Sequence, residues 1–226
     1  MCPPTSFATT SNTITSPASS PPKDDFFPST EICQSAYKLA SYHLELPVLN
    51  HSIRVYLYAS ALAKSTNSIY SSEKHDLLFT ACILHDIGTS DAYDGPERFE
   101  VEGGDAATAL LRGFNVKEND IHDVWVAIAL HTSAGIAERI SELARIVREA
   151  VLTDFGKTGG ASESLVGLKG ELEEKYPRLE VEKVLGDHVV GQALRRPQKA
   201  PPASWPGILY RAHLTDPDWK GVNKAF

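Results

Sequence analysis

The sequence predicts an all-α fold: one helical-bundle domain over residues 29–226, preceded by a disordered tail over residues 1–28. From residue 29 onward, apolar residues recur at intervals of three and four, which is the period of an amphipathic helix. No segment shows the strict alternation of apolar and polar residues that is typical of a half-buried strand. A chain of 226 residues with 42% hydrophobic residues has enough apolar surface for one core, but two full domains are not expected.

The predicted tail is dominated by proline, serine and threonine, as in the stretch PPTSFATTSNTITSPASSPP. This composition offers too little apolar surface to offset the entropy lost when a chain becomes ordered. We therefore expect these residues to be disordered.

Capping residues and apolar stripes predict the first two helices. Ser29 or Thr30 suits the N-cap of a helix that reaches about His43, and Pro47 suits the first turn of the next helix. Apolar residues recur every seven positions along that second helix, at Val48, Val55 and Leu62. His51 lies in the same stripe, so we expect it to face the core.

The third predicted helix carries an adjacent histidine and aspartate. Ser71 or Ser72 can cap this helix, and apolar residues at i, i+3 and i+4 lead to His85 at i+7. Gly88 is in position to end the helix. We therefore expect His85 and Asp86 to occupy its last turn.

Further helices are predicted along the rest of the chain. A glycine-bearing segment leads into a fourth helix, and a fifth carries a stripe that reaches His131. The stripe of the next helix ends on Asp154, and a charge on a core face must be paired, coordinated or neutralised. Two more helices are plausible between about 162 and 195, followed by a proline-rich stretch and a short aromatic tail.

Charge and composition narrow the classes of partner. The net charge of −7 and the pI of about 5.6 argue against general binding to nucleic acid or anionic lipid, so a small-molecule substrate is expected. No apolar run reaches the roughly 18 residues that a membrane span needs. Three cysteines, an odd and small number, favour a reducing compartment, which we take to be the cytoplasm. The sequence does not distinguish a monomer from a homo-oligomer.

Four residues on predicted core faces or helix ends are of types that bind metals: His51, His85, Asp86 and Asp154. Two nitrogen and two oxygen ligands suit Zn2+, although Fe2+, Mn2+ or Co2+ could occupy such a site. Neighbouring residues on a helix differ by about 100°, so an ion would have to lie in the groove between His85 and Asp86. In the alternative interpretation, the histidines are hydrogen-bonded core residues and Asp154 is a solvated helix end.

This pattern of an early histidine, an adjacent His-Asp pair and a distant aspartate resembles the HD superfamily. An adjacent His-Asp pair alone is weak evidence, because the sequence also contains His75-Asp76. The surrounding stretch ACILHDIG favours His85-Asp86 as the pair that matches the superfamily. Five stretches in chain order are similar to the fungal cyanamide hydratase family: LNHSIRVYLYA, LLFTACILHDIGT, RFEVEGGDAA, VWVAIALHTSAGI and VLTDFGKTG. The resemblance implies a zinc-dependent hydro-lyase that adds water to the nitrile of cyanamide and gives urea.

Three more residues are candidates for the chemistry. His131 is expected to face the same interior as the metal and to act as general acid or base, the alternative being a core histidine bonded to a carbonyl. His122 is nine residues earlier, on the opposite side of the helix, so a single metal ion is expected. Asn50 and Thr153 flank proposed ligands and could orient substrate or water.

Two other groups are interpreted as structural. The charged run of Glu97, Arg98 and Glu100 could close over the pocket, but a solvated loop is the favoured interpretation. Trp205, Tyr210 and Trp219, after the proline-rich segment, could cover the site or dock the end of the chain, and docking is the favoured interpretation.

Three functional hypotheses follow. The leading one is hydration of a small nitrile-like substrate, cyanamide first. The second is hydrolysis of a nucleotide or related phosphomonoester, which needs cations such as Arg54 and Arg98 near the site. The third is a non-catalytic helical module in which a fully coordinated metal is structural.

Overall fold

The computed structural model describes residues 27–157 and 163–226, which form ten α-helices and contain no strand. The helices are α1 Glu31–His43, α2 Leu46–Ser65, α3 His75–Leu84, α4 Phe99–Gly113, α5 Glu118–Leu130, α6 Ala137–Ile140, α7 Glu142–Asp154, α8 Glu163–Lys175, α9 Val181–Arg195 and α10 Trp205–Thr215. The all-α prediction is confirmed. The predicted tail lies outside the described residues except for its last two positions.

The first two helices begin where their capping signals predicted. The Thr30 hydroxyl accepts a hydrogen bond from the backbone N–H of Cys33, and α1 then runs to His43. Pro47 lies in the first turn of α2, where its missing N–H leaves no hydrogen bond unmade. Sequence therefore located both helices to within a residue or two.

The third helix differs from the prediction at both ends. Residues Ile69–Ser71 form a separate 3-10 turn, so α3 begins at His75. The helix ends at Leu84, and Asp86 (φ −105°, ψ 6°) leads into a second 3-10 turn, Ile87–Thr89. The prediction that the His-Asp pair lies in the last turn was wrong. Because the backbone changes conformation at the pair, its side chains are not bound to the 100° spacing of a helix.

Gly88 does not end α3 but permits close packing of α4. A Cβ atom added at Gly88 would lie 2.0 Å from the backbone oxygen of Phe99, at the start of that helix. Only glycine fits this approach without displacing backbone.

Helix α2 lies at the centre of the bundle and packs against α3, α7 and α9. All nine residues from 48 to 56 are buried, so this stretch has no solvent-facing side. It nevertheless includes His51 and Arg54, both 0% exposed. Buried polar side chains require partners, and those partners define the site described below.

The chain after α7 is more helical than predicted. The two helices expected between about 162 and 195 are α8 and α9. The predicted aromatic tail instead includes α10, whose N-cap Ser204 accepts a hydrogen bond from the backbone N–H of Gly207. A serine followed by Trp-Pro-Gly carried this capping signal, with Pro206 in the first turn. Among the helices described, none is at once long and apolar enough to span a bilayer.

Candidate metal centre and pocket

His51, His85 and Asp86 meet in the interior of the bundle. The Nε2 atoms of the two histidines are 3.2 Å apart, and Asp86 Oδ2 lies 3.1 Å from His85 Nε2 and 3.6 Å from His51 Nε2. One ligand atom from each residue lies within 4.8 Å of the others. We call these three residues the metal cluster. It is of the kind that can hold a divalent ion.

Hydrogen bonds at Nδ1 fix the tautomers of the surrounding histidines. His85 Nδ1 lies 2.7 Å from the carbonyl oxygen of Cys82, and His131 Nδ1 lies 2.7 Å from that of Ile128. A carbonyl can only accept, so both Nδ1 atoms carry a proton. In the neutral ring the Nε2 atom then carries a lone pair, the form in which imidazole binds a metal.

Asp86 is the unsatisfied group at the centre of this arrangement. It is 1% exposed, and within the described part of the chain neither carboxylate oxygen accepts a hydrogen bond of favourable geometry, although His85 Nε2 is only 3.1 Å away. Burial alone would raise the pKa of Asp86, but His85 and His131 outweigh it and hold that pKa well below its ordinary value. Those two imidazoles stabilise the carboxylate only while they carry a positive charge. When their Nε2 atoms are unprotonated, as metal binding requires of a ligand, the buried carboxylate needs another positive charge, and a metal cation fits that need.

Asp154, the fourth predicted ligand, does not join the metal cluster. Its Oδ2 accepts a hydrogen bond from His51 Nδ1 at 2.7 Å, at the ring nitrogen remote from the cluster. Arg54 donates to both carboxylate oxygens, at 2.7 and 2.8 Å. Burial would raise the pKa of Asp154, yet Arg54 and His51 hold it well below its ordinary value. The buried charge is thus paired with a guanidinium, and the carboxylate orients the His51 ring.

Arg54 is a site residue that sequence analysis had assigned only to phosphate binding. It is fully buried, and besides Asp154 it donates through Nη1 to the carbonyl of Tyr176 at 2.8 Å. Its position one turn after His51 was the available signal, since residues three apart share a helix face.

His131 reaches the metal cluster from the end of α5, as predicted. Its Nε2 lies 3.5 Å from Asp86 Oδ1, its ring centroid is 4.9 Å from that of His85, and it is 2% exposed. His122 is exposed on the other side of α5, so the two histidines do not converge.

The structure does not bring Asn50 and Thr153 to the cluster. The Asn50 amide donates to the carbonyl of Pro177 at 2.9 Å, and the Thr153 hydroxyl donates to the carbonyl of Glu149 at 2.7 Å, within α7. Neither residue lines the pocket described next.

A pocket of about 560 Å³ opens beside the cluster, with His51, His85, Asp86 and His131 on its inner wall. Sequence analysis missed most of its other walls. They include Thr132, Arg148, Phe155, Trp205, Ile208 and Phe226. Of the two interpretations of Trp205, covering the site agrees with its place on the pocket wall.

Glu100 is also not the solvated residue that its charged neighbours suggested. It is 0% exposed and accepts hydrogen bonds from Arg98 at 2.8 Å and from the Thr132 hydroxyl at 2.7 Å. Because Thr132 lines the pocket, this buried carboxylate fixes part of the pocket wall.

Comparison with known proteins relates this chain to one domain family and to two yeast enzymes. Residues 48–150 match the HD domain family. Cyanamide hydratase DDI2 and cyanamide hydratase DDI3 of Saccharomyces cerevisiae are each 28% identical to this chain over 157 residues, which cover 67% of the chain and 68% of either relative. The part of the chain that matches the HD domain family, residues 48–150, includes the whole metal cluster and His131.

Proposed function

Since residues 48–150 match the HD domain family and the chain resembles the cyanamide hydratases, we propose that it is a metal-dependent hydro-lyase. The leading reaction is the addition of water to the nitrile of cyanamide, which gives urea. The observation that carries this proposal is the buried Asp86 carboxylate, unsatisfied among the described residues and surrounded by imidazole nitrogens beside an open pocket. That donor set needs a cation, and the pocket gives a small molecule access to it.

We propose that His51, His85 and Asp86 hold one ion, with Zn2+ the leading candidate. Two imidazole nitrogens and a carboxylate oxygen are a donor set that zinc accepts, and three protein ligands leave a position open, as in catalytic zinc sites. When bound, such an ion supplies a Lewis acid that polarises water or the nitrile. Asp154 supports this set from behind His51, where a carboxylate keeps the ring in its ligating tautomer.

His131 is the proton carrier in this proposal. Its Nδ1 proton is held by the Ile128 carbonyl, so Nε2 is free to accept a proton from water and return it to the nitrile nitrogen. The Asp86 carboxylate, 3.5 Å away, stabilises the imidazolium that forms. The water oxygen bonds to the nitrile carbon and one water proton goes to the nitrile nitrogen, which gives isourea. The remaining hydroxyl proton then moves to nitrogen as isourea tautomerises to urea.

The rival functions receive less support. The two cations named for a phosphohydrolase are engaged elsewhere: Arg54 holds Asp154, and Arg98 holds Glu100. Neither lines the pocket. A purely structural metal is disfavoured by a three-residue cluster beside a solvent-connected pocket.

Because Cys33 and Cys82 are free thiols, we also propose a cytoplasmic location.

The test is urea formation from cyanamide by the purified protein, before and after chelation, with zinc restored and bound metal quantified. The chain offers a matched pair of variants, since His75 and His85 each precede an aspartate. His85→Ala should lose both metal and urea formation, whereas His75→Ala, whose side chain is 40% exposed outside the pocket, should retain both. Stoichiometric metal without urea would refute the cyanamide reaction, and absence of metal would refute the metal site as well.

A further inference from the structure

The pocket beside the metal cluster is much larger than cyanamide, in which the nitrile carbon carries only an amino group. Its volume is about 560 Å³, whereas one water molecule occupies about 30 Å³ of the liquid. Pockets of this size enclose ligands of drug-like dimensions. Cyanamide at the cluster would leave most of the walls in contact with water.

An aromatic wall leads outward from the cluster and consists of Phe155, Phe226 and Trp205. The Phe155 ring centroid lies 4.6 Å from that of His51, at an interplanar angle of 32°. Phe226 meets Phe155 edge-on at 4.9 Å, and Trp205 meets Phe226 at 5.6 Å. All three side chains line the pocket, so an apolar body attached to a reacting nitrile would contact them.

Two large aliphatic side chains continue this surface at the pocket rim. Ile136 is 54% exposed and Ile208 is 46% exposed, and both line the pocket. Exposed apolar residues that line the same cleft indicate a contact surface, unlike single apolar residues scattered over a protein.

The cations of the pocket are already engaged by the protein. Arg148 donates to the carbonyl of His131 at 2.9 Å and is paired with Glu138. Lys157 donates to the carbonyl of Phe226, and Arg211 donates to that of Pro202 at 2.8 Å. These hydrogen bonds hold the three side chains in place and leave the aromatic wall as the surface available to an apolar substituent.

We propose that the preferred substrates are nitriles or cyanamides that carry an aromatic or branched apolar substituent, which lies against the aromatic wall while the nitrile reaches the metal cluster. This inference rests on the proposed hydration. With benzylcyanamide, the water oxygen bonds to the nitrile carbon and both protons end on nitrogen, which gives benzylurea without a further reactant.

The test compares kcat/KM for benzylcyanamide and cyanamide with the zinc-loaded protein. Burial of the ring should favour benzylcyanamide by about 30-fold. Ile208→Gln should reduce this preference about fivefold, because it replaces apolar contact at the rim with a polar side chain. Leu214→Gln is the matched control, since Leu214 lies on the same helix, is 55% exposed and does not line the pocket, and its preference should equal that of the wild type.

The outcomes separate the two proposals. Hydration of cyanamide with kcat/KM equal to or above that for benzylcyanamide would overturn this inference and leave the hydratase function intact. An unchanged preference in Ile208→Gln would also overturn it. If neither compound is hydrated, the proposed function fails and takes the inference with it.

Discussion

Replacing Asp154 with asparagine should destabilise the protein strongly yet only weaken metal binding. The wild-type carboxylate accepts three hydrogen bonds, two from Arg54 and one from His51 Nδ1, at 2.7 to 2.8 Å. Each of its oxygens faces a donor. An asparagine NH2 group would therefore point at an N–H group whichever way the amide is turned.

The magnitude follows from the burial of Arg54. A charge-assisted hydrogen bond contributes about 1.5–3 kcal/mol, and a buried charge left without its counter-ion costs about 3–5 kcal/mol in total. For a chain of 226 residues, this loss lowers the melting temperature by about 10 °C. Zinc affinity should fall about 10- to 100-fold, as when a group that orients a ligating histidine is lost.

Thermal unfolding of the chelated protein and zinc titration measure these two effects separately. Asp187→Asn is the control, since that side chain is 61% exposed and its loss should change stability by less than about 0.5 kcal/mol. The folded pKa of Asp154 lies below its unfolded value of about 4, so its contribution is present above that pH and is lost as pH falls. The gap between wild type and Asp154→Asn should narrow accordingly. If the metal-free variant melts like wild type and loses zinc as completely as His85→Ala, Asp154 is a metal ligand and the reasoning is wrong.

Three further predictions concern other parts of the site and core. His131→Gln should retain stoichiometric metal while kcat for cyanamide falls about 100-fold, measured by urea release; loss of metal instead would make His131 a ligand. Gly88→Ala should lower the free energy of unfolding by about 3 kcal/mol, because its Cβ would lie 2.0 Å from a backbone oxygen of α4. Gly113→Ala has nothing within 4 Å and should change it by less than about 1 kcal/mol, so equal denaturation midpoints would contradict the packing. Cys33 and Cys82 are buried, and burial raises the pKa of both thiols. Both should resist iodoacetamide until the protein is denatured, and rapid labelling of the native protein, detected by mass spectrometry, would be inconsistent with this core.

Sequence located His51, the His85-Asp86 pair and His131 because each lies on or just beyond an apolar stripe, and helical periodicity fixes which way such a residue faces. It could not say what neutralises Asp154. Either a metal ion or a guanidinium can neutralise a buried carboxylate, and sequence alone does not distinguish them. The guanidinium here belongs to Arg54, 100 positions from Asp154. Only the packing of α2 against α7 decides between them.

Sequence did not locate the end of α3 for a different reason. His85 keeps helical torsion angles (φ −59°, ψ −30°) although α3 has ended, so the apolar pattern continues across the boundary. For the pocket walls, sequence could only suggest Trp205 as a cover for the site, since Trp205 and Phe226 lie beyond the stretches that carry the family resemblance.

The two carbonyl contacts made by α2 extend the influence of the site beyond the pocket. Asn50 and Arg54, one turn apart on α2, bind the carbonyls of Pro177 and Tyr176 in the connection between α8 and α9. His51 lies between them on the same turn, so ordering this imidazole and ordering that connection are thermodynamically linked. Occupancy of the metal cluster should therefore slow amide hydrogen exchange in the α8–α9 connection, which belongs to the same cooperative unit as His51.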